Sequence, residues 1–529
     1  MNNNIMTFFL FWGIWVVLPI LIDGVLFVIY TVTVFTNRAF KKRSSRKYCH
    51  EELPFVSVVI PTFNEEENIS SCLNFLKIQT YPHDRMEIIV VDNGSVDKTG
   101  KIVLAHKGGG DIELEGTEEN GNGNGKDNEP LPQSYQVNGK IVLCGRTYDT
   151  KDFKGSLHLV TRYDKGKAKA LNAGIRKTKG DIIVNIDSRS FLDPEAIGEM
   201  VKAFMERPEM GAATGNIEIN WNLVHERDPI KGFVVDERGY LITKTMSLKE
   251  AFLAKSQFLE YISSFHIGRS FQDIANSMYT MSGAFSAIRR SVLAKTKLYK
   301  DKTIVEDTHL TLDIGSKSIH IGYVPNARAY LRPVYSWERL YAQRIRWNRG
   351  QVEVMGLYYP KLGKRKFGLG KAIFFPLTLL IDHTFAFPRL IWFFIFPALI
   401  MFGYHPKVIA IASLLMFGFY VFLDLLITSC CYFLSDKISR GQIRHAFYWI
   451  PLLAIYRLVL FFIRVSAYLT VLRDDPEWTV SNNPIGSIKR GHKRGRVVWQ
   501  SSRLSKVYKA LANSMGFMRA PIEVKGEKE

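Results

Sequence analysis

Two long apolar regions, Met6–Phe35 and Ala372–Leu472, bracket a long stretch of mixed composition, and this bracketing limits the folds open to the chain. A continuous apolar segment of about 20 residues is what a helix needs to cross a bilayer. The chain therefore reads as an integral membrane protein with a soluble domain set between membrane segments. The region after Met1 has neither a basic start nor a small-residue cleavage site and outruns a signal core, so it reads as a retained anchor. Thr36–His50 carries Arg38, Lys41, Lys42, Arg43, Arg46 and Lys47 without an acid. The positive-inside rule then puts this flank and the soluble domain in the cytoplasm.

The second region divides into three apolar stretches, approximately Pro376–Phe402, Val408–Leu434 and Phe447–Leu472. Three full crossings would leave the basic tail outside, against its charge. One stretch is therefore expected to be interfacial or re-entrant; the polar interruptions are Asp382 and His383 in the first and Arg457 and Arg464 in the last. The net charge of +20 is concentrated partly in that tail: Gly486–Arg519 holds nine Lys and Arg residues and no acid. Such a tail beside a membrane is expected on anionic lipid. No recognition motif accompanies the charge, so nucleic acid is not an expected partner. Cys49, Cys72, Cys144, Cys430 and Cys431 are odd in number and lack CxxC spacing, which argues for reduced thiols and against a zinc site.

From Leu53 to about Leu362, short β-branched runs alternate with helical patterns, the signature of an α/β domain with a largely parallel sheet. Phe55–Ile60 is a predicted strand that Pro61 ends, and Asn64–Ile69 is predicted to open a helix with acids in its first turn. Glu87–Val91 and Asp181–Ile186 are further predicted strands, ending in Asp92 and Asp187. Polar clusters after the carboxyl ends of strands are where open α/β sheets bind ligands. Lys107–Gln133, rich in Gly, Asn and acids, reads as a surface insertion without assigned chemistry.

Several motifs fall in order along this domain. Ile60-Pro-Thr-Phe-Asn-Glu-Glu66 follows the first strand, and Val91-Asp-Asn-Gly-Ser95 the second. Lys165–Gly174 combines glycines, which allow close backbone approach, with cations suited to phosphate. Ser282-Gly-Ala-Phe285 is small and open. Val305-Glu-Asp307 offers a carboxylate that can take a proton, and Gln343-Arg-Ile-Arg-Trp347 follows it after 35 residues. Taken singly, the acidic pieces are ordinary helix caps, and QRIRW is an interfacial helix with snorkelling arginines.

In this order the motifs resemble the processive family 2 glycosyltransferases, the group of cellulose, hyaluronan, chitin and poly-N-acetylglucosamine synthases and several capsule synthases. The resemblance covers roughly Leu53–Gly350 and the membrane arrangement. It implies a GT-A-like α/β domain at residues 53–362 between an amino-terminal membrane helix (6–35) and carboxyl-terminal transmembrane and interfacial helices (372–472), with a basic cytosolic tail (473–529). It implies a bacterial plasma-membrane enzyme, with the bilayer as a partner, that transfers sugar from a UDP-sugar donor onto a growing polysaccharide acceptor. UDP-glucose is favoured over UDP-N-acetylglucosamine, and an oligomer is compatible with the sequence. Thr62, Asn64, Glu65, Asp92, Lys167, Asp187, Arg189, Gln343 and Arg346 match positions on the nucleotide-sugar side, and Ser282, Gly283 and Trp347 positions on the acceptor side. Asp307 matches the general base of a single inverting displacement, with Glu306 orienting its loop, and Arg289 and Arg290 are read as structural or surface groups.

One departure stands out. Relatives normally carry Asp-x-Asp where this chain has Asp187-Ser188-Arg189. The first expectation is weakened Mg²⁺ or Mn²⁺ binding through Asp187 alone, since hard cations accept water and phosphate oxygens as remaining ligands. Arg189 neutralising the diphosphate itself is a second reading, and loss of activity, leaving a glycan-binding or secretion scaffold, a third. A non-processive enzyme acting on a lipid-linked acceptor is the other alternative. At membrane depth, Asp23, Asp424 and Arg464 are expected either in structural ion pairs or along a hydrated polysaccharide path.

Overall fold

The computed structural model describes residues 18–40, 48–107, 113–114, 140–143, 146–149, 154–162, 166–220, 246–301, 303–358, 399–401, 403 and 405–473. The start of the first apolar region, most of the stretch Pro376–Phe402, nearly all of the insertion Lys107–Gln133, Cys144 and the basic tail lie outside these residues.

The strands are β1 (Val56–Thr62), β2 (Met86–Asp92), β3 (Glu113–Leu114), β4 (Lys140–Leu143), β5 (Arg146–Asp149), β6 (Ser156–Thr161), β7 (Ile182–Ile186), β8 (Phe191–Leu192), β9 (Met210–Ile219), β10 (Phe285–Arg289) and β11 (His320–Leu331). All but the hairpin β4–β5 form one nine-stranded sheet in the order β3-β6-β2-β1-β7-β10-β9-β11-β8. β1, β2 and β7 are buried along their whole lengths, which is why they read as continuous β-branched runs and not as alternating ones. Helices used below are α1 (Leu18–Phe40), α2 (Ile69–Lys77), α3 (Thr99–Lys107), α4 (Lys167–Lys177), α5 (Ala196–Glu206), α6 (Leu248–Ser263), α7 (Glu306–Gly315), α8 (Trp337–Tyr358), α9 (Pro406–Leu434), α10 (Lys437–Ala446) and α11 (Ile450–Arg473).

The sheet is largely parallel, as expected, with two of its nine strands reversed; β9 and β11 pair in parallel and run in the same direction as β7. β3, β6, β2, β1 and β7 run parallel, whereas β10 is antiparallel to both β7 and β9, and β8 is antiparallel to β11. The cause lies in where β10 begins. Phe285 pairs with Ile186 at the finishing end of β7, so the chain must run back down the sheet. That reversal sets the preceding Ser282–Ala284 loop beside the ends of the parallel strands.

Two local expectations are also corrected. Pro61 does not end β1, which continues to Thr62; β7 pairs only with Val56–Val59, so the proline lies where β1 has a neighbour on one side alone. The helix expected from Asn64 starts at Ile69. The backbone N–H groups of Glu65 and Glu66 are taken by Thr99 Oγ1 and Asp97 Oδ2, which holds this segment as a loop.

A second core joins the sheet domain to the apolar helices, with Ile219, Leu253, Phe258, Leu340, Leu434, Leu453 and Tyr456 buried together. Tyr30 of α1 stacks on Phe271 at 4.0 Å between ring centres. α9 and the helical run Ser439–Val471 are long and apolar enough to cross a membrane. Between α9 and α11, Asp424 pairs with Arg457 at 2.8 Å, the structural ion pair among the two readings. Tyr420 donates to Asp23 at 3.1 Å, tying α9 to α1.

Candidate active site

Because β1, β2 and β7 are parallel, Thr62, Asp92 and Asp187 emerge on one edge of the sheet. Three further elements arrive there. Lys167 begins α4, Gly283 sits in the loop before β10, and Glu306 and Asp307 form the first turn of α7.

Lys167 Nζ lies 2.6 Å from Asp187 Oδ1 and 3.0 Å from Glu306 Oε1. The Gly283 N–H donates to Asp307 Oδ2 at 3.1 Å, and Thr308 N–H to Oδ1 at 2.6 Å. A side chain on Gly283 would begin 3.2 Å from both Asp307 Oδ2 and Lys167 Nζ, so glycine keeps the space over the Asp307 carboxylate open. The loop itself is fixed by Ser282 N–H donating to Thr214 Oγ1 at 3.1 Å, Ala284 N–H donating to Ser282 Oγ at 3.3 Å, and Asn185 Nδ2 donating to the Gly283 carbonyl at 3.4 Å.

Burial, reinforced by the neighbouring Glu306 charge, pushes the Asp307 carboxyl up to about 6, with Lys167 acting in the opposite direction. Burial works against the Lys167 ammonium, but Asp187 and Glu306 outweigh it and hold its affinity for a proton above the ordinary lysine range. The result is a carboxylate poised near neutrality beside a permanent cation, the setting in which a general base works best. Glu306, expected to orient the loop, is an ionic partner of Lys167.

On the nucleotide side, Thr62 is buried and donates to the Val91 carbonyl. Asn64 adopts a left-handed φ of 53°, its N–H donating to Ser95 Oγ and its Oδ1 accepting from Val96. Asp92 accepts from Ser95 N–H at 3.0 Å, and burial raises its pKa. Glu65 and Arg189, each expected against the donor, meet one another: Arg189 Nε and Nη2 reach Glu65 Oε1 at 2.8 Å.

The donor set bears on a divalent cation. Among the described residues no group of three His, Cys, Asp or Glu lies together as a metal-ligand set. Asp187 is the one carboxylate of Asp187–Arg189, and its side chain is 37% exposed. These residues fit a hard cation held by one carboxylate and by the oxygens of an incoming diphosphate; they do not form a two-carboxylate site.

α8 carries Gln343 and Arg346, expected on the nucleotide-sugar side, and Trp347, expected on the acceptor side. Gln343, Arg346, Trp347 and Gly350 fall on one helical face. At Gly350 that face meets Val305, whose methyls lie 2.6 Å from where an alanine Cβ would stand. Gly350, on the same helical face as Gln343, Arg346 and Trp347, thus packs on the residue preceding Glu306 and Asp307. Arg344 points elsewhere and is buried, bonding Glu260 of α6 at 2.7 Å and Tyr456 of α11 at 3.5 Å. Arg289 and Arg290 are structural as expected, bonding the carbonyls of Met210, Phe204 and Gly180.

Thr214, Asn185, Glu260 and Tyr456 were not among the expected site residues. Thr214 lies within β9 with no motif around it, Asn185 is a buried residue of β7 two positions before Asp187, and Tyr456 lies in an apolar run.

The Glycosyl transferase family 2 model matches residues 57–126 and the Glycosyltransferase like family 2 model residues 152–350, together just over half the chain. The chain belongs to glycosyltransferase family 2. The family matches, and the relatives named next, support a sugar-transferring enzyme. It is 27% identical to the probable glycosyltransferase YdaM of Bacillus subtilis over 64% of each chain. It is 22% identical to a poly-beta-1,6-N-acetyl-D-glucosamine synthase of Staphylococcus epidermidis over 69% of this chain and 70% of that one. The match to the first of these thus spans less than two thirds of its length. A solved mannosyltransferase, PcManGT from Pyrobaculum calidifontis in complex with GDP-Man and Mn²⁺, aligns over 86% of this chain and 96% of its own at 17% identity, with a TM-score of 0.49.

Proposed function

We propose that the chain is a membrane-embedded, inverting, processive hexosyltransferase that builds a polysaccharide from a UDP-sugar and passes it outward through its own helices. The observation that carries this is Asp307, raised to about 6, held on the Gly283 backbone beside Lys167. In this reading Asp307 Oδ takes the proton of an acceptor hydroxyl as its oxygen attacks the anomeric carbon. The nucleoside diphosphate departs on the opposite side, which inverts the centre. Lys167, Arg346 and Gln343 offset the charge developing on the leaving phosphate.

Asp187 would hold Mg²⁺ or Mn²⁺, which supplies further positive charge to the diphosphate. Thr62, Asn64 and Asp92 bind the nucleoside, Ser282 and Gly283 leave room for the acceptor, and Trp347 offers its indole face to the terminal sugar. The curated relatives include poly-beta-1,6-N-acetyl-D-glucosamine synthases, which supports UDP-N-acetylglucosamine as a donor alongside UDP-glucose, the expectation from sequence. The apolar helices α9 and α11 support the membrane placement, because a polar polymer needs a protein-lined route through hydrocarbon.

The test is to supply the purified full chain with labelled UDP-glucose and UDP-N-acetylglucosamine in the presence of Mg²⁺ or Mn²⁺ and to size the product. A long polymer supports the proposal. A single transferred sugar would assign the non-processive alternative, and no turnover by folded protein would remove the catalytic reading.

A further inference from the structure

Arg344 is the one member of Gln343–Trp347 that is buried away from the catalytic edge, and its surroundings are built. Its Nη2 donates to Glu260 Oε2 at 2.7 Å, and the same oxygen accepts from Tyr456 OH at 2.9 Å. Its guanidinium lies over the Trp347 ring at 4.7 Å from the centroid, with Tyr261 at 5.9 Å. Three helices therefore converge on this cation: α8, which carries Trp347; α6; and the apolar helix α11.

We propose that Arg344 is a positioning residue that fixes the indole of Trp347 and couples it to α11, so that an acceptor sugar stacks only on the indole face opposite the guanidinium. The proposal rests on the reading of Trp347 as the acceptor platform. A planar guanidinium can cover an aromatic face and hold a carboxylate in the same plane, which an ammonium cannot. Glu260 and Tyr456 then set the guanidinium plane, and through it the indole. Movement of α11 reaches the acceptor platform by this route, without passing through the donor side.

The test uses the full chain with a soluble oligosaccharide acceptor and compares Arg344→Lys, Tyr456→Phe, Trp347→Ala and the double variant Arg344→Lys/Trp347→Ala. Lysine keeps a cation for Glu260 but lacks the flat face. Arg344→Lys is expected to raise the acceptor KM about tenfold, in keeping with loss of a desolvated cation–π contact. The donor KM stays unchanged, and kcat at saturating acceptor falls far less than kcat/KM. Tyr456→Phe moves the acceptor KM in the same direction by a smaller factor. The double variant has the acceptor KM of Trp347→Ala alone, because the two residues act as one unit. Multiplicative effects in the double variant, or equal changes in donor and acceptor KM, would overturn the proposal while leaving the functional reading standing. An unchanged acceptor KM in Trp347→Ala would overturn both.

Discussion

Replacing Lys167 by methionine keeps the length of the side chain and removes the ammonium that joins Asp187 and Glu306 at 2.6 and 3.0 Å. Lys167 Nζ and Asp307 Oδ2 each lie 3.2 Å from the point where a Gly283 side chain would begin, and so within twice that distance of one another. At about 6 Å, unit charges interact by about 0.7 kcal/mol in water and about 3 kcal/mol at an effective dielectric of 20. With about 1.4 kcal/mol per pKa unit, the cation holds the Asp307 pKa down by roughly half a unit to two units. Losing it disfavours the carboxylate, so the proton stays on to higher pH. The acid limb of kcat/KM, expected near 6 in the native protein, should move upward by that amount in Lys167→Met. Stability should fall by roughly 1–3 kcal/mol, less than for a fully buried pair because Asp187 faces solvent. The assay is UDP release across the pH range at subsaturating donor, with urea unfolding alongside. A limb that stays in place or moves to lower pH would refute the electrostatic account of the base.

Three further outcomes follow from the geometry. Asp307→Asn should lose about 10²–10⁴ in rate, yet be more stable than the native protein at pH 8 by roughly 1–3 kcal/mol. Its folded pKa of about 6 exceeds the ordinary 3.8, so native stability declines as pH rises through that window and stays lower above it, a decline that thermal unfolding of the asparagine variant should lack. Arg189→Asp combined with Glu65→Gln restores a second carboxylate beside Asp187 without leaving Glu65 charged and unpaired; the Mn²⁺ concentration for half-maximal UDP release should fall, and an unchanged titration would count against metal binding there. Gly350→Ala places a methyl 2.6 Å from Val305 and should cost roughly 1–3 kcal/mol together with activity, each recovered in part when Val305→Ala is added, which removes the methyls and leaves the Val305 Cβ at 3.1 Å.

The parts of this fold that depend on local pattern were legible in the sequence. β1, β2 and β7 show as largely β-branched runs, and a site residue stands at or directly after the carboxyl end of each. Long-range pairing was not legible. Nothing around Phe285 announces that β10 runs antiparallel to both neighbours, although that reversal carries Gly283 to Asp307. The same limit hid the Glu65–Arg189 pair, whose members are 124 residues apart, and the contact of Tyr456 with Glu260, 196 residues apart. Local pattern also misled at Asn64–Asn68. The acids looked like a helix start, but their backbone donors are claimed by Asp97 and Thr99 from the neighbouring loop.

The central claim is that Asp307, and not another carboxylate of the cluster, takes the acceptor proton. Single-turnover transfer from UDP-N-acetylglucosamine and UDP-glucose, measured in the native chain and in Asp307→Asn with donor binding followed in parallel, tests it most directly. The account predicts UDP release and acceptor extension by the native chain, and about 10²–10⁴-fold slower transfer by the variant with donor affinity retained. Transfer at the native rate by Asp307→Asn would contradict it.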